Sequence, residues 1–245
     1  MRRLITTAVL TVVAAALVLV GFILAGRQFR SRLQNDPRYL VSFQEIECPA
    51  PPGSTRIEFL HEVQFLAELP ENLSTLDDSV ESQLRTSFAR HSWVEKVDRV
   101  QSGPGRRIHV ELTFRKPVLA AAHGNSIRAV DANGVVLPST APVIDLPRLI
   151  EATKPASSAS TISDAARLAG FLHSDREQLR IREISRRDKG WHLLLENGAL
   201  ALWGEAPGSA NSKEPSPELK RDMLLKKAPA GGLIDLRATG TPPGK

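Results

Sequence analysis

The feature that most restricts this chain is "LITTAVLTVVAAALVLVGFILAG", Leu4 to Gly26, a run of 23 residues without a charged side chain. At about 1.5 Å rise per residue, such a run crosses a hydrocarbon core of about 30 Å as a single helix. It exceeds the roughly 7–15 apolar residues of a signal peptide, and it leads into Arg27, Arg30 and Arg32 instead of a small-residue cleavage site. An uncleaved transmembrane helix over 4–26 is the expectation, with a short end at 1–3 and all other residues beyond it. Flanking charge sets Arg2 and Arg3 against Arg27, Arg30, Arg32 and Arg38. Taken alone, that count slightly favours the cytoplasm for the larger part.

The net charge of +5 and pI of about 9.6 suggest a nucleic-acid partner until the charge is located. Residues 1–40 hold six Arg and one Asp, and the remainder holds 26 basic and 26 acidic side chains. A neutral remainder with 5% aromatic residues offers neither a phosphate-tracking stripe nor a stacking platform. Cys48 is the single cysteine, which excludes an internal disulfide and a cysteine metal cluster. Histidines stand at 61, 91, 109, 123, 173 and 192, never three or four apart, so metal-ligand spacing is absent. No nucleophile elbow, P-loop, zinc-helix or dinucleotide fingerprint is present. The expectation is a non-enzymatic protein without cofactor, metal or small-molecule substrate.

Beyond the anchor, 27–54 reads as a juxtamembrane linker ending in the stiff "PAPPGS", and the folded part is expected from Thr55. "TRIEFLHEV" alternates like a strand. "TLDDSVESQLRTSFARH" places Leu76, Val80, Leu84 and Phe88 on one helical face, opened by Thr75 and Asp78 in capping-box spacing. A strand over Val94 to Gln101 follows the turn at His91-Ser92. On the return strand, Ile108, Val110, Leu112 and Phe114 share the core face. Trp93 and Phe114 would be interface anchors if exposed, though their place on the core side of a small module favours packing.

From Val118 a second, strand-dominated module is expected. Short strands surround the Asn133-Gly134 turn, and "STISDAARLAGFLHS" forms a helix with Ile162, Ala165, Leu168, Ala169 and Leu172 inward. Strands at "LRIREISRR", "WHLLLENG" and "ALALWG" precede the helix "ELKRDMLLKKA" and a last strand "GLIDLR", with 238–245 as a tail. The fold class is α+β: a small α/β domain over 55–117 and a mostly antiparallel β domain with flanking helices over 118–237. A last strand has either an open edge that can accept a partner's strand or neighbours on both sides. The first alternative makes Leu233, Ile234, Asp235, Leu236 and Arg237 candidate partner-binding residues.

Four stretches in this order resemble the FtsQ/DivIB family of bacterial cell-division proteins. "FARHSWVEKVDRVQSGPGRRIHVELTFRKPV" is similar to the helix, turn, hairpin and closing R-x-P of that family's POTRA domain, which marks Trp93, Val94, Arg115 and Pro117. "AVDANGVVLP", "LLENGALALWG" and "LIDLR" resemble its later hairpins and its terminal DLRY strand. Ser92 stands where the family favours Pro, and Ala238 where it favours Tyr. "TGTPPGK" replaces a further short strand, and its prolines have no N–H to donate. The resemblance implies a single-pass protein of the cytoplasmic (inner) membrane with its POTRA and β domains outside the cytoplasm, acting at the septum. It implies a divisome scaffold that binds FtsB- and FtsL-type coiled-coil proteins and helps control septal peptidoglycan synthesis. A membrane-tethered POTRA subunit of a protein-export or envelope-assembly machine is the alternative, and a tethered hydrolase with a dispersed site is a third reading.

Overall fold

A computed structural model describes residues 36–103, 106–151, 159–187, 190–209 and 214–238. The expected anchor at 4–26, the short end at 1–3 and the tail beyond Ala238 lie outside the described residues. No described helix is long and apolar enough to cross a membrane. The chain divides into two units, one holding the residues up to Ala50 with Thr55–His91 and Lys96–Thr113, the other holding Pro51–Ser54, Ser92–Glu95 and the chain from Phe114.

In the first unit, β1 (Leu40–Ser42) pairs antiparallel with β2 (Asn72–Ser74), placing Val41 opposite Leu73. This overturns the linker reading for its described part, because Val41, Phe43 and Ile46 are each 0% exposed. The helix α1 (Arg56–Ala67) replaces the strand expected at "TRIEFLHEV". Its start explains why: Thr55 Oγ1 accepts the Glu58 N–H, while the Glu58 carboxylate accepts the Thr55 N–H at 2.8 Å. That capping box satisfies two end groups of the helix. The buried set Phe59, Leu60 and Val63 then follows helical spacing, and Ile57, which completed the apparent alternation, is 62% exposed.

The helix α2 (Val80–Ala89) buries Val80, Leu84 and Phe88 as expected but begins later than Thr75. Thr75 is engaged with the Tyr39 carbonyl, and Asp77 Oδ1 accepts both the N–H and the hydroxyl of Ser79 at 2.8 Å. Phe88 packs against Phe43 and Phe59, with ring centroids 6.3 and 5.8 Å away. The strands β3 (Val94–Gly103) and β4 (Arg107–Phe114) pair with each other, and Glu47 bridges β4 through hydrogen bonds with Ile108 and Val110.

The second unit is built on a seven-stranded sheet. Its strands are β5 (Pro117–His123), β6 (Ser126–Asp131), β7 (Arg148–Glu151), β8 (Ile181–Arg187), β9 (Gly190–Leu195), β10 (Leu200–Gly204) and β11 (Leu233–Asp235). Across the sheet the order is β11-β10-β9-β8-β7-β5-β6. The hairpins β5–β6, β8–β9 and β9–β10 are antiparallel, whereas β7 is parallel to both β5 and β8, and β11 is parallel to β10.

The parallel contacts reflect long connections, since a parallel neighbour requires a crossover. The helices α3 (Ala159–Leu172) and α4 (Arg176–Leu179) separate β7 from β8, and α5 (Pro217–Lys227) separates β10 from β11. The strand β7 was not expected from the sequence. One core joins Ala165, Leu168 and Leu172 of α3, Leu224 of α5, and Leu119, Ile184, Leu193, Trp203 and Ile234 of the sheet.

Candidate docking edge

A sheet of seven strands has two edges, and the backbone treats them differently. At β6 the chain folds back on itself. Leu137 donates its N–H to the Ala129 carbonyl at 2.8 Å, and Asp131 donates to the Val135 carbonyl at 3.0 Å. The turn between them is the expected Asn133-Gly134, held by Asp131 Oδ1, which accepts the N–H groups of Asn133 and Val135. Gly134 has φ +84°, a conformation open to glycine. The segment 135–137 thus covers much of the β6 edge.

No described strand lies on the outer side of β11. Leu200 donates to the Gly232 carbonyl, and Leu236 donates to the Leu202 carbonyl. Alternate residues of a parallel strand address the same neighbour, so 232, 234 and 236 face β10. The N–H and C=O groups of Leu233 and Asp235 therefore point outward and form a two-residue template.

The five candidate residues divide accordingly. Ile234 and Leu236 are 3% and 0% exposed and belong to the core, whereas Leu233 is 69% exposed. The strand stops at Asp235, two residues before the expected end, because Asp235 turns its carboxylate onto the following chain. Asp235 Oδ1 accepts the Arg237 backbone N–H at 3.0 Å, and the guanidinium donates to both carboxylate oxygens at 3.0 and 2.7 Å. These bonds from Arg237, aided by nearby Lys227, hold the Asp235 carboxyl below the usual carboxylate range. The edge presents an apolar side chain beside a clamped ion pair.

Trp93, Val94, Arg115 and Pro117 gather elsewhere in the second unit. Trp93 and Val94 are each 1% exposed, and Trp93 packs with Ala129, Leu137 and Ala141, with Phe114 against the same cluster. Trp93 is packed, not displayed. Its carbonyl accepts the Arg115 N–H at 2.9 Å, and Arg115 Nη1 meets Asp131 Oδ2 at 2.8 Å. Pro117 opens β5 opposite Asp131. Asp131 is thus the centre of this group, although sequence reasoning did not single it out. Its signal was an Asp three residues before the Gly of a hairpin turn.

The remaining chemistry is sparse. Among the described residues no three His, Cys, Asp or Glu side chains group to hold a metal. Burial pushes the Cys48 thiol up to about 11, which keeps it protonated at neutral pH. A cleft of about 830 Å³ beside the starts of β7 and β8 interleaves arginines with carboxylates, as in the Arg180–Glu196 pair at 3.6 Å. It concentrates no single charge.

No curated protein matches the chain. Residues 120–237 match the model of the family described as cell division protein FtsQ/DivIB, C-terminal. The match begins in β5 and ends at Arg237, so it contains the whole seven-stranded sheet except the first residues of β5 and includes the β11 edge. The family is non-catalytic, and its work lies in cell division with other division proteins as partners. Over residues 120–237 the chain carries the C-terminal domain of the FtsQ/DivIB family of cell division proteins.

Proposed function

We propose that this protein is a non-enzymatic scaffold of the divisome, anchored by its apolar segment at 4–26, with its folded units outside the cytoplasmic membrane. The first unit takes the role of the POTRA domain. The β11 edge receives a strand from a coiled-coil division partner of the FtsB or FtsL type, and through that contact the protein helps control septal peptidoglycan synthesis. One observation carries this reading: β11 ends the sheet with the N–H and C=O groups of Leu233 and Asp235 directed away from β10. Main-chain hydrogen bonds supply affinity in strand addition, and alternate side chains supply specificity.

Leu236 is unsuited to a test, since its N–H is spent on Leu202 and its side chain is fully buried. Leu233→Pro removes one outward donor and spares the pairing with β10, as an edge strand tolerates proline. The expected result is a folded protein that no longer co-purifies the FtsB-type partner from detergent-solubilised membranes. Unimpaired co-purification with a normal melting curve would remove β11 as the docking edge.

A further inference from the structure

We propose that the partner segment added at β11 also seats apolar side chains on the sheet face turned away from the helices, over Leu194, Leu200 and Leu202. The proposal rests on reading β11 as the docking edge and deepens it. Its origin is "HLLLENGALALW", His192 to Trp203, where leucines occupy neighbouring positions instead of alternating with polar residues. An antiparallel pair with one solvated face alternates, whereas strands apolar at successive positions are buried on both faces.

The helices cover one of those faces. Successive strand residues point to opposite sides. Leu193, Ala201, Trp203 and Ile234 join the core that α3, α4 and α5 enter through Leu168, Leu179 and Leu224. Leu194, Leu200, Leu202 and Leu233 therefore lie on the other side. Strand pairing sets Glu183, Leu194, Leu200 and Leu233 in one row, which runs back through Arg148 and Ala120 to Ala129. At that far end the row is covered, for Ala129 packs with Trp93, Leu137 and Ala141 and is 1% exposed. Exposure rises toward β11, where Leu194 and Leu200 are half-buried and Leu233 is 69% exposed. The next row places the half-buried Leu202 between His192 and Asp235.

What seats on the leucines follows from the edge. A strand added to β11 lies about 4.8 Å beyond it and turns every second side chain onto this face, beside Leu233. Leu233 ends the leucine row, so an apolar residue there in the partner extends the row across the junction. A segment leaving that strand over the sheet crosses Leu200 and Leu202 next. No lysine or arginine lies on β9, β10 or β11, so the face lacks the cations that hold an anionic membrane surface.

The test compares Leu200→Thr/Leu202→Thr with Leu200→Met/Leu202→Met in the full chain in detergent micelles. It reads co-purification of the FtsB-type partner, the melting curve, and the mass of the chain alone by light scattering. Threonine suits a strand but removes the apolar surface, and methionine keeps it. The expected result is a roughly tenfold or greater loss of partner in the Thr pair, with parental capture by the Met pair and melting near the parent value in both. Capture by the Thr pair equal to the parent's overturns the proposal, as does equal loss in both pairs. A parent dimer that the Thr pair dissociates, with partner capture unchanged, gives the face to a second copy of the chain and overturns it as well. Leu194→Thr reads the same quantities if the Thr pair does not fold. Leu233→Pro keeps the two readings apart: loss there with parental capture by the Thr pair removes only the leucine face, and parental capture in both removes the edge itself.

Discussion

At the residue scale, a few polar side chains carry disproportionate weight because they are buried and fully engaged. Asp131 is 3% exposed, yet it closes the Asn133-Gly134 turn with one carboxylate oxygen and holds Arg115 with the other. Removing Arg115 strands half of that carboxylate away from water. We expect Arg115→Ala to cost about 3 kcal/mol in chemical unfolding, near the lower end for a broken buried pair because the turn N–H groups remain. A loss below about 0.5 kcal/mol, the range of an ordinary surface change, would show that Asp131 does not depend on Arg115. Trp93, Arg115 and Pro117 were visible in the sequence as motif residues. Asp131 lay inside the motif "AVDANGVVLP" without standing out as a site residue, because an acid beside a turn is common and only its burial distinguishes it.

At the element scale, the ends of helices and strands were decided by hydrogen bonds that hydrophobic patterning does not report. The alternation Ile57, Phe59, His61, Val63 suited a strand until the Thr55–Glu58 capping box and burial of the neighbouring Leu60 made a helix. The four-residue β7 carried too little pattern to be recognised, and its place comes from parallel pairing with residues far away in the chain. Elements are also joined by charge. Arg221 of α5 donates to both oxygens of Asp175, in the turn after α3, at 2.5 and 2.8 Å. Those bonds hold the Asp175 carboxyl below its ordinary value.

A carboxyl depressed in the folded state contributes stability above its unfolded pKa and loses it as pH falls through the folded one. Asp175→Asn is therefore expected to lower the melting temperature at pH 7, and to lower it less at pH 2, toward which the parent carboxyl gains its proton. Equal destabilisation at both pH values would assign the effect to packing instead.

At the scale of the whole molecule, the proposed divisome role predicts where the protein gathers in the cell. An N-terminal fluorescent fusion, followed during depletion of the native copy, is expected to gather at midcell while depleted cells grow as filaments. Uniform membrane signal with normal division would displace the divisome reading in favour of an export or envelope-assembly role.

Much of this organisation follows from the sequence alone, because local periodicity and turn residues act over a few positions. The chain announces its apolar segment, the helices at 80–89, 159–172 and 217–227, the hairpin strands, and the ordered motifs of its family. What only the tertiary structure decided concerns residues distant in sequence: that β11 lies at the end of the sheet, which of its groups face outward, and that 135–137 shields the opposite edge. Strand order and edge exposure arise from pairings closed across long loops, and no local pattern of side chains encodes which neighbour a strand will find.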